Sequence, residues 1–204
     1  MPLLNQGNRE IQFKIVYYGP ALAGKTANLI YIHSRLGEGY RGELVSLATS
    51  ADRTLFFDLL PLHAELLRGF RTKFQLFTVP GQVMYNSTRQ LVLRNVDGVV
   101  FVADSQWDKM EENVLSFRNL EENLQAQDIS LNQFPYVLEF NKRDLRDIAP
   151  TAYLEYLLNN RKRRVRTFES MAKTGVNVFA ALDALTQLLL RKFDAEQRQL
   201  RPLG

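Results

Sequence analysis

The chain has 204 residues, a formal net charge of +4 at pH 7 and no cysteine, which excludes disulfides and thiolate metal sites. Its composition, 46% hydrophobic and 24% charged, is typical of one globular domain with a core of its own. It contains no apolar run of membrane-spanning length, no signal peptide and no lipid-attachment motif, so we expect a cytoplasmic protein without a lipid anchor.

Strand and helix patterns alternate along the chain. Apolar and β-branched runs predict strands at 11–18, 43–48, 70–79, 97–103, 134–140 and 165–168. Helical spacing of apolar residues predicts helices at 27–36, 85–94, 111–127, 151–158 and 178–193. An apolar run at 55–60 is stopped by Pro61, and residues 195–204 are expected to fray. This order predicts an α/β fold over 1–194, with a mostly parallel sheet of six strands or slightly more and helices on both faces.

A phosphate-loop pattern follows the first predicted strand. Residues 19–26 read Gly-Pro-Ala-Leu-Ala-Gly-Lys-Thr and fit G-x-x-x-x-G-K-[ST]. A strand, this loop and a helix would place backbone N–H groups at a helix N-terminus, which binds anions. We expect Lys25 to reach the β- and γ-phosphates and the Thr26 hydroxyl to ligate Mg²⁺. The other predicted phosphate contacts are Gly19, Ala21, Leu22, Ala23, Gly24 and Ala27. The alternative is a Gly-containing turn that happens to precede a helix.

The tetrad Asn141-Lys142-Arg143-Asp144 comes directly after a predicted strand. The Asp144 carboxylate can accept hydrogen bonds from guanine N1–H and the N2 amine, whereas adenine would leave this charge unpaired. Asn141 can bond the base and neighbouring loops, and the Lys142 stem can lie along the base and ribose. The tetrad therefore predicts guanine specificity, with a polar surface turn as the alternative.

Two further stretches could act at the γ-phosphate or at its Mg²⁺. The Gly81 N–H can bond it, and the Gln82 amide can orient the attacking water. Thr54 could supply a second Mg²⁺ ligand, although sequence alone favours a helix N-cap at this position.

The densest basic run is Arg161-Lys162-Arg163-Arg164. It could be a nucleic-acid or acidic-membrane patch, or a solvated helix end or loop. We favour the second interpretation because no aromatic residues are interleaved with the run, and we expect no nucleic-acid partner.

Several stretches together match one known pattern. They include Thr-Val-Pro-Gly-Gln at 78–82, and the full set is 14–20, 46–49, 52–58, 78–82, 96–105 and 141–145. On these residues the chain resembles the Ras-like small GTPases over nearly its full length and, among them, the bacterial MglA family, which sets front–rear polarity in motile cells. The resemblance implies a Ras-like P-loop GTPase domain with an extra N-terminal strand segment. It also implies that Thr54 ligates Mg²⁺, Gln82 positions water and Arg53 is an arginine finger supplied by the chain itself.

The resemblance further implies cofactors and partners. The cofactors would be GTP or GDP with Mg²⁺. The activating partner would be a dimeric roadblock-domain protein of the MglB type, which repositions the switches, and polarity or motility effectors would bind the mobile stretches 40–61 and 80–95. The chain would be monomeric on its own and recruited to a cell pole.

Three positions depart from the Ras-like pattern. Thr78 stands where an Asp usually contacts the Mg²⁺ shell, which leaves Mg²⁺ to Thr26, Thr54, phosphates and waters. Ala21 stands where Gly is expected, and in Ras-like proteins a side chain here crowds the Gln and the arginine finger beside the γ-phosphate, so we expect slow hydrolysis. The base-binding stretch 170–173 reads Ser-Met-Ala-Lys, where the Ala172 N–H can face guanine O6 with Lys173 alongside.

The leading hypothesis is a GTP-operated switch that hydrolyses GTP and engages partners through its mobile stretches. A second is a GTP-bound scaffold with little hydrolysis, motivated by Ala21 and Thr78. A P-loop kinase or ATPase is disfavoured by Asn141 and Asp144, and an Arf-like trafficking GTPase by the lack of an acylatable Gly at position 2.

Overall fold

The computed structural model describes residues 2–48, 54–67, 69–82 and 85–199. Its strands are β1 (Leu3–Asn5), β2 (Glu10–Tyr18), β3 (Val45–Ala48), β4 (Thr54–Leu67), β5 (Phe70–Thr78), β6 (Gly98–Asp104), β7 (Tyr136–Asn141) and β8 (Thr167–Glu169). Its helices are α1 (Lys25–Arg35), α2 (Asn86–Leu93), α3 (Met110–Gln125), α4 (Thr151–Leu158) and α5 (Val178–Gln199).

The strands form one sheet with the order β3-β4-β5-β2-β6-β7-β8. Strands β5, β2, β6, β7 and β8 run parallel, whereas β4 is antiparallel to both β3 and β5. The short β1 pairs antiparallel with the first half of β2. The α/β fold with a mostly parallel sheet is therefore confirmed, and β1 is the extra N-terminal segment that the resemblance implies.

Both faces of the sheet are covered by helices. Successive residues of β2 alternate between the faces, so Ile15 and Tyr17 pack with α1 and α5 while Val16 and Tyr18 pack with α2, α3 and α4. All seven residues of β6 are buried, which explains its continuous apolar run. Among the described helices, none combines the length and apolar character needed to cross a bilayer.

The expected stop at Pro61 is wrong, because β4 continues through this residue to Leu67. The Pro61 carbonyl accepts a hydrogen bond from the Gly42 N–H at 2.9 Å, on the side of β4 away from β5. A residue's nitrogen and carbonyl point to the same side of a strand, so the missing N–H of Pro61 removes no bond from the β4–β5 ladder. Proline is tolerated here because β3 pairs only as far as Leu59.

The sequence makes predictions for two segments near helix ends: the C-terminal part of α5 and the basic run at 161–164. Helix α5 extends to Gln199, past residue 195, and the Ala, Glu, Gln and Arg residues of 195–199 all favour helix. The basic run lies in the loop after α4, as the favoured interpretation expects. Within it, Arg161 forms a paired contact with the Glu121 carboxylate at 2.7 and 2.8 Å and covers the Phe117 ring.

Candidate nucleotide-binding and hydrolysis site

The loop between β2 and α1 has the backbone that its glycines predict. Gly19 has φ +149°, and a Cβ there would lie 2.1 Å from the Val102 carbonyl oxygen. Gly24 has φ +106°, and a Cβ there would lie 2.1 Å from the Asn141 side-chain nitrogen. A side chain at Gly19 would collide with the neighbouring strand β6, and one at Gly24 would collide with Asn141, the last residue of β7. The pattern therefore sits in the strand–loop–helix context that a phosphate loop requires.

Lys25 is buried inside this loop. Its ammonium donates hydrogen bonds to the carbonyls of Gly19 at 3.1 Å and Pro20 at 2.6 Å. Burial, helped by the nearby positive charge of Arg89, lowers the pKa of Lys25 to about 7. A polyphosphate beside Lys25 would favour the charged ammonium, so binding of an anionic ligand would raise the pKa of this lysine.

The base-binding residues meet the phosphate loop through one side chain. The Asn141 amide donates to the Ala23 carbonyl at 2.7 Å and accepts from the Ala172 N–H at 2.8 Å. The Lys142 ammonium bonds Asp104 at 2.5 Å. Asp144 and Lys173 are exposed on the surface. The structure thus brings Asn141, Ala172 and the phosphate loop together, and it places Asp144 at the solvent-facing end of the tetrad.

Gly81 lies directly against the phosphate loop. A Cβ on Gly81 would be 2.2 Å from the Ala21 Cα, so only glycine fits there. A cleft of about 380 Å³ opens beside this contact. Its lining residues are Pro20, Ala21, Gly81, Gln82, Glu112, Leu115 and Ser116. The structure therefore places Gln82 next to the loop that would hold the terminal phosphate.

The chain was compared with family models and with curated proteins. No family model matches it. The mutual gliding-motility protein MglA of Myxococcus xanthus is 50% identical over 190 residues, which cover 93% of this chain and 96% of that protein.

The chain belongs to the MglA family of Ras-like GTPases. More distant relatives agree: the Ras-related protein rab-39 of Caenorhabditis elegans is 24% identical over 94% of this chain and 78% of its own length. The Ypt/Rab-type GTPase ypt7 of Schizosaccharomyces pombe is 24% identical over 93% of this chain and 88% of its own length. This MglA-family chain is thus a small GTPase, a guanine-nucleotide-binding switch that hydrolyses GTP, as the sequence predicted.

A buried carboxylate of this MglA-family chain lies beside Thr78, the position at which the Ras-like pattern has an Asp. Asp58 on β4 accepts a hydrogen bond from the Thr26 hydroxyl at 2.6 Å and another from the Thr78 hydroxyl at 2.8 Å. The Ser46 hydroxyl also donates to this carboxylate. Sequence reasoning missed Asp58, although a single acid inside the apolar run 55–60 was a signal that could have found it.

Two predicted site residues, Arg53 and Thr54, fall wholly or partly outside the described part of the chain. Arg53 lies outside the described residues. Thr54 is the first residue of β4, and its side chain is outside the described part of the structure. The alternative interpretation of Thr54 as a helix N-cap is wrong, because the stretch that follows it is a strand that pairs with β5.

A second residue that sequence reasoning missed is Arg89 of α2. Its side chain is fully buried and donates to the carbonyls of Pro80 at 2.8 Å and Gly81 at 2.5 Å. It also donates to the Asn119 side chain at 2.7 Å and lies over the Tyr18 ring. The guanidinium therefore links three parts of the fold: the backbone just before Gln82, helix α3 and strand β2.

Proposed function

We propose that this MglA-family chain hydrolyses GTP slowly and that its GTP state recruits polarity or motility effectors through the stretches 40–61 and 80–95. The observation that carries the proposal is the contact between Gly81 and Ala21. A γ-phosphate held by the phosphate loop would lie next to Gly81, near the start of the stretch 80–95. Loss of the γ-phosphate would therefore change the conformation of this stretch. The Ala21 methyl group would occupy space near the transferring phosphate and slow the chemistry.

The proposed roles of the phosphate and base contacts follow the order of the chain. Backbone N–H groups of the loop would hold the α- and β-phosphates, with Lys25 on the β- and γ-phosphates. Asn141, Lys142 and Asp144 would bind guanine and ribose, with the Ala172 N–H on guanine O6 and Lys173 alongside. These assignments draw support from the position of Asn141 beside both the loop at Ala23 and Ala172, whose N–H donates to Asn141 here and would turn to guanine O6 in the complex.

Gln82 would orient the attacking water, and Arg53 would neutralise charge on the transferring phosphate. The position of Gln82 at the cleft beside Ala21 supports its part in the reaction. Arg89 would act as a positioning residue for this step, since it holds the two carbonyls before Gln82.

The oxygen atoms around Thr26 fit Mg²⁺. Hard oxygen ligands, hydroxyl and carboxylate, are what this ion prefers, and the described cluster contains Thr26, Asp58, Thr78 and Ser46. Thr26 would ligate the ion together with Thr54, and Asp58 would take the part of the acid that Ras-like chains have at the position of Thr78. When bound, Mg²⁺ neutralises the charge that develops on the phosphates.

The proposed activating partner is a dimeric roadblock-domain protein of the MglB type. We propose that the chain is monomeric and cytoplasmic until its GTP state is recruited to a cell pole. The support is the 50% identity to a Myxococcus xanthus protein that is named for gliding motility.

A second candidate function is a GTP-bound scaffold with little or no hydrolysis. The specific observation in its favour is the place of Ala21, whose backbone lies against Gly81 and whose methyl group would crowd the groups that act on the γ-phosphate. The two functions differ only in whether the bound GTP is consumed.

Single-turnover hydrolysis of GTP by the purified chain with Mg²⁺ tests the proposal. We expect slow conversion to GDP, which a roadblock-type partner accelerates, and we expect Ala21→Gly to accelerate it without the partner. Gln82→Leu should abolish the acceleration in both cases while leaving nucleotide affinity within about twofold. GTP that stays intact with and without the partner would establish the scaffold instead, and an Ala21→Gly rate equal to wild type would refute the role of the methyl group.

A further inference from the structure

Strand β7 carries a carboxylate in the interior of the domain. Glu139 is completely buried, on the sheet face that packs against α1 and α5. Residues of β7 alternate between faces, so Asn141, two positions later, points to the same side. A carboxylate placed there is costly, because burial disfavours its charge. An apolar residue would be the cheaper choice for packing alone, so the acid calls for an explanation.

The Glu139 carboxylate bridges two halves of the nucleotide site. One of its oxygens, Oε1, accepts a hydrogen bond from the Asn28 amide at 2.8 Å and another from the Ser170 hydroxyl at 2.8 Å. Asn28 lies on α1, three residues after Lys25 and two after Thr26, and its amide also donates to the Gly24 carbonyl at 3.1 Å. The carboxylate therefore contacts the helix that begins at the phosphate loop.

Its other hydrogen bond leads to the base-binding loop. Ser170 opens the stretch 170–173, and its N–H donates to the Phe140 carbonyl at 2.8 Å. Its hydroxyl has one proton, and the shorter contact, to Glu139, is 2.8 Å against 3.3 Å to the Asn141 amide oxygen. Glu139 thus orients the hydroxyl of Ser170 and holds it against β7. Ser170 lies two residues before Ala172 in the base-binding loop.

The surroundings show that this bridge is maintained against an energetic cost. The second carboxylate oxygen of Glu139, the Asn28 amide oxygen and the Tyr17 hydroxyl are buried without a hydrogen-bond partner among the described residues. Burial raises the pKa of Glu139 to about 7. Buried polar atoms without hydrogen-bond partners lower stability, so we expect them where a side chain must hold other groups in place.

We propose that Glu139 is a positioning residue for guanine nucleotide, which holds the helix carrying Lys25 and Thr26 at a fixed spacing from the loop carrying Ala172. The proposal rests on the proposed roles of those residues at the phosphates and the base. A nucleotide spans both halves, so its affinity depends on their separation. When the bridge is broken, each half keeps its own contacts but the two no longer fit one ligand together, and the nucleotide leaves faster.

The rate at which fluorescently labelled GDP leaves the protein, chased by excess GDP with Mg²⁺, tests this. Glu139→Leu removes the acceptor, whereas Glu139→Gln keeps an oxygen in the same place. We expect release to be about tenfold faster or more in Glu139→Leu and within about threefold of wild type in Glu139→Gln. Asn159→Leu is the matched control, since Asn159 is equally buried and bonds Val165 and Glu155 outside the site. It should lower the melting temperature and leave release within about twofold.

A double-variant cycle separates positioning from general destabilisation. If Glu139 acts through Ser170, the Glu139→Leu and Ser170→Ala double variant releases GDP no faster than Glu139→Leu alone, whereas independent effects would multiply. Release from Glu139→Leu within about twofold of wild type, or equal release from the Leu and Gln variants, would overturn the proposal.

Two further outcomes remain decisive. If Glu139→Leu does not fold, Asn28→Leu and Ser170→Ala each remove one donor to Glu139, and unchanged release in both would overturn the proposal. Wild-type protein that does not bind labelled GDP at all would refute the proposed site itself rather than the role of Glu139.

Discussion

The hydroxyl of Thr26 donates a 2.6 Å hydrogen bond to the carboxylate of Asp58. The two residues are 32 positions apart in the chain, and the contact joins the first turn of α1 to β4. Asp58 belongs to the first proposed mobile stretch, 40–61, so the surroundings of Thr26 depend on where β4 lies. A residue that would ligate Mg²⁺ is thus coupled directly to a segment that would bind partners.

Replacing Asp58 by Asn should weaken the dependence of nucleotide retention on Mg²⁺. The amide loses the negative charge but nearly keeps the shape, and loss of such a supporting carboxylate typically costs about 10- to 100-fold in metal affinity. The measurement is the ratio of labelled-GDP release rates in EDTA and in Mg²⁺, which should fall by about tenfold. Asp183→Asn, an exposed change of the same kind on α5, should leave the ratio unchanged. An unaltered ratio in Asp58→Asn would mean that the acid serves only to bond the hydroxyls around it.

Replacing Arg89 by Met should destabilise the fold and slow hydrolysis. The change leaves the carbonyls of Pro80 and Gly81 without their buried donor, which costs about 3 kcal/mol in unfolding free energy. Urea unfolding measures this loss, and single-turnover hydrolysis should be slower because the backbone before Gln82 is no longer held. Arg118→Met, on the exposed side of α3, is the control and should change neither quantity. Normal hydrolysis in folded Arg89→Met would show that the guanidinium acts on stability alone.

Local sequence patterns predicted the parts of the site that one chain segment builds. The loop pattern from Gly19 to Thr26 follows β2, and the tetrad begins with Asn141, the last residue of β7, so in each case a short pattern contains both the turn and the functional groups. The alternation of strands and helices predicted the parallel sheet for the same reason.

The missed residues depend on distant parts of the chain. Asp58 reaches Thr26 only because β4 pairs with β5, and Arg89 is buried only because α2 packs on Tyr18 and Asn119. A charged residue on a helix or in a strand is usually exposed to solvent, so residue type alone predicts that Arg89 and Asp58 lie on the surface. Pro61 was misjudged likewise, since its effect depends on which side of β4 has a neighbour.

Nucleotide binding should take up a proton through Lys25. Burial lowers its pKa to about 7, and phosphate charges beside the ammonium would raise this pKa. At about pH 8 the amine is mostly neutral before binding and charged afterwards, so uptake approaches about one proton per nucleotide. Titration calorimetry in buffers of different ionisation enthalpy measures this number. Lys25→Arg, which stays charged throughout, should show about one proton less, and equal uptake by both proteins would refute the assignment to Lys25.

The stability of the GDP-loaded protein should depend on pH through Glu139. Burial raises the pKa of this carboxyl from 4.5 to about 7, so between these values the folded state binds more protons than the unfolded state. Stability from this group is therefore complete below about pH 4.5 and is lost as the pH rises through about 7. Burial also raises the pKa of the neighbouring Tyr17 well above its usual value, which keeps that hydroxyl neutral over this range.

Glu139→Gln, which cannot ionise, isolates the contribution of this carboxyl. We expect the variant to gain about 2 kcal/mol relative to wild type between about pH 5 and pH 7.5, measured by urea unfolding with saturating GDP, which holds Lys25 charged in both proteins. Glu111→Gln, an exposed carboxyl-to-amide change on α3, is the control and should follow wild type across the range. Parallel curves for Glu139→Gln and wild type would mean that the pKa of Glu139 is not raised in the folded chain, because the folded and unfolded chains then lose its proton over the same pH range.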